Sequence, residues 1–594
     1  MKETLSRRTP IDSGGTGVAR AVNGRQPEQR EQPSGISRRT FLHRSAGTLG
    51  AMWAASAAAP GQTLLNTAKS GESRLPQNLE IGLELPSQVP MPACVTDGLK
   101  DIGLTYFNFY TASSAGDYNT VEQISDAGQQ AVANSMVEWC ERAGFHFSPA
   151  VHWKEIPESA LAFYGKNPLC EGVVMDEGEH VRQLNWRPYG AGFGIEPWAK
   201  VDGLSLQEAY EKTLEGLSRT RQHYSSFGMD TVITCVWPVM FHTIARAGCG
   251  VCPKFMGMSY SPVTAAIALG AALQYQSKFW IDLEMWSQGS GDSHPGHSPE
   301  EFRSNLLLAY WLGVDHIYVE GAGWNSLPAG TQGVPWNFVT YHSEKVYRLT
   351  EFGKILRWFC REYVPSHPRP YTFRDATPEI VIVRFPDTCW GQRYAQAGWP
   401  DHLYGAENLH SDARTEAWFK IWDLLTHGST GTDGITYEKQ RIAALKKPYN
   451  PDYSPVPENV ALHPFFSPLN NVAVFDHLAG GPLFATAKLI FLTGITVSAE
   501  TLQAVGKRVE AGTTCVALRS LAATLAAENS GGGTVIVPRG AGKWVITEDF
   551  GDPTVRAQIE PFLGDSQEIR FQFGKHELRL RNVEGDLNQI RVET

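Results

Sequence analysis

Short apolar runs recur through the first half of this 594-residue chain, and most of them end on an acid or a flat aromatic. In chain order the run ends carry Glu84, Asn108 and Tyr110, His152 and Trp153, Asp176 and Glu177, Trp237, Ser259 and Tyr260, Glu284 with Trp286, and Glu320 with Trp324. Carboxylates and aromatics sharing one rim are what glycosidic bond cleavage needs. One acid protonates the leaving oxygen while a second carboxylate attacks or stabilises the oxocarbenium-like carbon. Trp and Tyr faces cover the C–H faces of a sugar ring, and their polar tips bond hydroxyls. A single acid at a strand end serves equally well as an ion-pair partner, so the argument rests on the joint placement of Glu177 and Glu284. No Ser-His-Asp elbow and no His/Asp/Glu cluster at metal spacing accompanies them. The His294-Pro-Gly-His297 segment reads as a solvated loop. No metal and no cofactor is expected.

The elements that position these residues follow from periodicity. The runs cover 79–85, 106–111, 145–152, 170–177, 230–237, 254–260, 278–285 and 314–320, and helix-length amphipathic stretches such as Thr120–Ala143, Ser205–Phe227 and Pro299–Leu312 lie between them. Strands alternating with helices argue a parallel sheet, and eight units in this span argue a closed (β/α)8 TIM barrel over 78–365, with function at the carboxyl ends of its strands. An open doubly wound sheet is the alternative, but no Gly-x-Gly-x-x-Gly turn follows the first run. A Pro-rich stretch marks a linker at 366–378. Strand-like runs at 379–384, 471–476, 488–493 and 513–518, with helices over Arg414–His427 and Ser498–Ala511, predict a flavodoxin-like doubly wound domain over 379–528. Alternating patterns over 529–594 predict a small antiparallel β domain.

Residues 1–59 read as an export leader of the twin-arginine type. Ser37-Arg38-Arg39-Thr40-Phe41-Leu42 precedes a short small-residue apolar stretch that ends at Ala57-Ala58-Ala59, and 60–77 is a linker. The expected location is periplasmic or extracellular. The formal charge is −10, and the leader carries nine Lys/Arg against four Asp/Glu, so the chain beyond it is strongly acidic. With no basic stripe, nucleic acid is a poor partner. Downstream of the leader no run approaches the ~20 apolar residues of a membrane span. Nine cysteines do not make a disulfide scaffold, and Cys249-Gly-Val-Cys252 reads as a local disulfide or two buried thiols.

The placement of Glu177 in Val173-Val174-Met175-Asp176-Glu177 and of Glu284 in Trp280-Ile281-Asp282-Leu283-Glu284 resembles the clan A glycoside hydrolases, retaining enzymes on a (β/α)8 barrel. The resemblance implies that Glu177 is the acid/base at the end of strand four and Glu284 the nucleophile at the end of strand seven. It further implies that Tyr260 bonds the nucleophile and that Trp324 floors the sugar site. The sequence departs from the clan at Asp176, where Asn is usual, and in lacking a strand-two arginine. His152, Asn108 and Asp176 are read as hydroxyl binders or rim braces; Trp153, Trp237, Trp286 and Trp324 as sugar subsites or packing. Glu320 and Asp282 are rival carboxylates. Long loops at 153–169, 178–204 and 286–298 suggest a walled pocket and exo action. A barrel, a flavodoxin-like domain and a small β domain together resemble the β-galactosidase family whose middle domain forms trimers, which implies a carbohydrate substrate and a homo-oligomer, a trimer by the analogy of architecture alone. Two other functions fit the same residues: a lyase or epimerase acting on sugars, and a secreted carbohydrate-binding protein without catalysis.

Overall fold

Eight parallel strands form the first sheet of the computed structural model. The structure describes residues 79–593 apart from 86–91, 111–125, 152–155, 179–199, 256–260, 285–298, 321–337, 344, 390–401, 431–466, 524–531 and 584–585. The strands are β1 (Glu80–Leu85), β2 (Tyr106–Tyr110), β3 (His146–Val151), β4 (Val173–Met175), β5 (Thr231–Cys235), β6 (Gly250–Pro253), β7 (Trp280–Glu284) and β8 (His316–Glu320). Each pairs with its chain neighbour, β1 also pairs with β8, and parallel bridges Val251–Phe279 and Lys254–Asp282 join β6 to β7. The sheet is therefore a barrel. Between the strands lie α1 (Ala93–Ile102), α2 (Asp126–Ala143), α3 (Glu158–Tyr164), α4 (Leu206–Ser226), α5 (Phe241–Arg246), α6 (Ser261–Tyr275) and α7 (Pro299–Trp311).

The two-residue period of a strand explains the layering of the interior. Tyr106, Val174, Val232, Cys252, Trp280 and Tyr318 form one closed apolar layer. Two residues further along each strand the positions turn polar: Asn108, Asp176, Thr234, Lys254, Asp282 and Glu320, all buried. The functional layer thus rests on a plug of large side chains, each contributing roughly 1.5–3 kcal/mol by its burial.

Strand six differs from expectation. It spans Gly250–Pro253, not 254–260, so Lys254 stands just past its carboxyl end. The run Lys254–Tyr260 has the more strand-like composition, but the chain has already crossed the barrel by Pro253. Cys249 and Cys252, the close cysteine pair, are buried thiols with no disulfide between them.

After the barrel come the antiparallel partners β9 (Val339–Ser343) and β10 (Val346–Leu349), and a second sheet comprises β11 (Ile380–Arg384), β13 (Val472–Asp476), β14 (Leu489–Thr493), β15 (Thr514–Leu518), β16 (Val535–Arg539) and β17 (Gly542–Thr547), in the order β13-β11-β14-β15-β17-β16. Its pairings are parallel except β16 against β17. A third sheet orders β12 (Leu469–Asn470), β18 (Glu568–Phe573), β19 (His576–Val583) and β20 (Asp586–Glu593). One expectation is corrected here. The hairpin β16–β17, assigned from its alternation to the terminal β domain, extends the second sheet, and β12 from mid-chain joins the third. Alternation identifies a strand but not its partner. The Pro-rich stretch is held against both of its neighbours. The Arg369 guanidinium donates to the carbonyls of Tyr310 and Val314, and Tyr371 stacks on Phe573 at 4.3 Å, which fastens the strap to α7 and the third sheet.

Helix α6 is buried from Ser261 through Ala272 because it packs between the barrel and β13. Gly270 makes that approach workable: a Cβ there would lie 1.7 Å from the Val474 carbonyl oxygen. Gly270→Ala is therefore expected to force the two layers apart at a cost of about 1–3 kcal/mol, despite alanine's better helix propensity. A denaturant melt of this variant checks it, with a lowered midpoint as the expected result. Among the described residues no helix is long and apolar enough to cross a membrane. The leader, 1–59, and the linker, 60–77, lie outside the described residues.

Candidate active site

Lys254 organises the carboxyl end of the barrel. Its side chain is fully buried, and its Nζ lies 2.8 Å from Asp176 Oδ1, 3.3 Å from Glu177 Oε1 and 3.9 Å from Asp282 Oδ2, and bonds Glu320 Oε2. An ammonium has three N–H donors, and Asp176, Glu177 and Glu320 can each take one. Those three carboxylates offer oxygens all within 4.8 Å of one another. They could frame a metal ion, but the chain's own ammonium already bonds all three.

Each acid is positioned by its strand. Asp176 and Glu177 follow β4, where Thr234 of β5 ties them down: its hydroxyl donates to Asp176 Oδ1 at 2.7 Å and accepts the Glu177 N–H at 3.2 Å. Glu177 has a φ of 50°, a left-handed conformation that L-residues with long side chains rarely adopt. Such strain persists where the surroundings over-determine it, which is common at functional sites. The Glu320 N–H donates to Asp282 Oδ1 at 3.2 Å. On β1 and β2, Glu84 and Asn108 are register partners, and Asn108 Nδ2 donates to Glu84 Oε2 at 3.3 Å.

Burial divides the acids into two groups. It holds Glu84 well above the usual carboxylate range, reinforced by the charges of Glu320 and Asp176. Burial does the same to Asp282, with the Glu320 charge next and Lys254 opposing. Both are thus shifted toward the protonated form, and the carboxyl groups that bond the Lys254 ammonium are those of Asp176, Glu177 and Glu320. Glu84 Oε1, Asn108 Oδ1 and Asp282 Oδ2 are buried without hydrogen-bond partners, polar atoms with capacity to spare for hydroxyl groups.

A raised carboxyl pKa makes the unfolded state the better acid, so Asp282 erodes stability as pH climbs through the ordinary carboxylate range toward its native value. Asn mimics the neutral form. Asp282→Asn is expected to gain on the parent between about pH 4 and pH 8, by ~1.4 kcal/mol for each unit of native pKa elevation. Thermal melts at the two ends check this; a difference that does not change with pH contradicts it.

Of the residues expected from sequence, Asp176, Glu177 and Glu320 come together around Lys254, with Asn108 one layer over on Glu84. Glu284 ends β7 as the register partner of Glu320, and its side chain lies outside the described residues. His152, Trp153, Tyr260, Trp286 and Trp324 also lie outside them, as does the His294–His297 loop. Trp237 is only 4% exposed and packs in the main apolar core, so the structure favours its packing role over an open sugar platform. Two participants were missed. Thr234 carries no sequence signal beyond its polarity inside an apolar run. Lys254 did carry one, a lysine adjoining Val251-Cys252-Pro253, hidden by the misplaced strand.

No family model matches the sequence, and no curated protein matches it. Among solved structures the chain is similar to the exo-beta-1,4-mannosidase Op5Man5 from Opitutaceae bacterium strain TAV5, at 10% identity over 81% of this chain and 94% of that one, with a TM-score of 0.43. It is also similar to a protein described as an alpha-L-fucosidase from Bacteroides thetaiotaomicron VPI-5482, at 11% identity over 51% of this chain and 98% of that one, TM-score 0.31. A sugar phosphate isomerase/epimerase from Parabacteroides distasonis ATCC 8503 follows at 12% identity over 52% and 99%, TM-score 0.26. Likeness at this level speaks to neither substrate nor mechanism.

Proposed function

We propose that this protein is a glycoside hydrolase that cleaves a β-linked glycoside by a retaining double displacement, with Glu177 as acid/base and Glu284 as nucleophile. The observation that carries the reading is the convergence of Asp176, Glu177 and Glu320 on Lys254 at the carboxyl mouth of a parallel barrel. Acids in excess of bases there favour the positive charge that builds on the anomeric carbon in the transition state. Glu177 donates a proton to the glycosidic oxygen and then takes one from water. Glu284 is the last residue of β7 and the register partner of Glu320. Lys254 supplies the buried cation for which strand two holds no arginine, and the spare acceptors on Glu84, Asn108 and Asp282 would hold sugar hydroxyls. A second assignment has one observation in its favour: Glu177 and Glu320 already offer oxygens within 4.8 Å of each other, so Glu320 could take the nucleophile's part.

The second sheet supports the flavodoxin-like reading, since its five parallel strands in chain order run 2-1-3-4-5. The carboxyl end of β13 is taken up by barrel side chains. Gln274 and Tyr275 bond Asp476, and Tyr210 packs edge-on against His477. That fits a bracing role for this sheet. Export by the twin-arginine route and trimer assembly belong to the same proposal.

A panel of nitrophenyl β-glycosides tests the activity. Turnover of at least one, with the same anomer released as supplied, is the expected result. Ligand binding without turnover would indicate a carbohydrate-binding protein, and isomerised sugar would indicate an epimerase.

A further inference from the structure

Four side chains from four strand starts converge at the amino end of the barrel, the face opposite Lys254. Glu80 and His316 open β1 and β8 and are register partners, His146 opens β3, and Glu171 lies two residues ahead of β4. His146 Nδ1 lies 2.5 Å from Glu171 Oε1 and 3.5 Å from Glu80 Oε1, and the three residues offer ligand atoms all within 4.8 Å of one another. His316 approaches the same point, its Nε2 4.0 Å from Glu171 Oε2.

His316 is the observation that an ion-pair network leaves unexplained. It is 7% exposed, and neither ring nitrogen has a hydrogen-bond partner. Its ring is fixed by stacking on Trp280 at 4.0 Å and by the edge contact of Tyr106 at 5.5 Å. Leaving a buried polar group unbonded is costly, and packing alone does not call for a histidine there. The neighbouring cation, Lys278, is paired with Asp230 at 2.8 Å.

We propose that Glu80, His146, Glu171 and His316 form a binding site for a zinc-class divalent cation that staples together the starts of β1, β3, β4 and β8. Two imidazoles and two carboxylates suit zinc. A tetrahedral zinc with bonds of ~2.0–2.2 Å holds its donors roughly 3.3–3.6 Å apart. The present separations, 2.5 to 4.8 Å, straddle that value. The His146 side chain is 37% exposed and gives an ion its way in from solvent. At the amino face of a barrel such a site serves stability rather than the reaction.

The test uses the tag-free full chain, stripped with chelator, and zinc chloride alone as the probe. The expected result is one zinc bound per chain, a melting temperature several degrees higher with zinc, and a cobalt-substituted spectrum without a thiolate charge-transfer band. His316→Gln should weaken zinc binding at least about 10-fold, while Glu320→Gln at the opposite mouth should leave it unchanged. Should His316→Gln fail to fold, Glu171→Gln gives the same reading from a partly exposed position. No stabilisation of the parent by zinc, or unchanged binding in His316→Gln or in Glu171→Gln, would overturn the proposal and leave an ion-pair network only. A thiolate band would place the zinc on cysteine instead and overturn it as well.

Discussion

Glu284→Gln is expected to lower kcat on the best nitrophenyl β-glycoside by about 10⁴-fold or more, because an amide of the same shape has no charge with which to attack the anomeric carbon. Binding of the product sugar should change little, since the substitution keeps size and hydrogen-bonding capacity. Steady-state rates together with product-inhibition constants check both halves. The strand register sharpens the test. Glu284 and Glu320 are partners across β7 and β8, and Glu320 is bound to Lys254 while Asp282 holds its N–H. If Glu284→Gln keeps more than about a tenth of the activity while Glu320→Gln loses it, the attacking carboxylate is Glu320.

The second large effect concerns folding. Lys254→Met keeps most of the side-chain volume but removes the ammonium that joins Asp176, Glu177 and Glu320. The three carboxylates then face one another within 4.8 Å in a site almost closed to water. Breaking a buried charge cluster by deleting one partner costs about 3–5 kcal/mol, because the remaining charges are left uncompensated. Without Lys254 those carboxyl groups should bind protons more readily in the folded chain than in the unfolded one. Their stability deficit should therefore shrink as pH falls and grow as pH rises. Equilibrium unfolding of parent and variant at about pH 5 and pH 8 measures this. A deficit below about 1 kcal/mol at both values would mean that Lys254 is not what holds the acids together.

The barrel was legible because short apolar runs alternate with helix-length stretches through eight units, and a small error in a strand's limits leaves its identity intact. The β4 acids were legible because Val173–Met175 is a short apolar strand with carboxylates directly behind it. Strand six was not, since its four residues are outweighed by the longer run that follows, and with it went the position of Lys254. The tail hairpin β16–β17 shows another limit, for the same alternation would fit an edge strand of either sheet. The amino-face group lay beyond reach for a geometric reason. Glu80, His146, Glu171 and His316 are scattered along the chain at the starts of four units, and only closure of the ring, which sets β8 beside β1, brings them within a few ångströms.

The central claim, that Glu177 works as acid/base in a double displacement, is tested most directly by the product that Glu177→Ala makes from an activated aryl β-glycoside in the presence of azide. Azide needs no general base, so it can intercept a glycosyl-enzyme that the variant can no longer hydrolyse. The account predicts restored turnover and a glycosyl azide of β configuration, the anomer that two successive inversions give. An α-glycosyl azide, or no effect of azide on the variant, would contradict it.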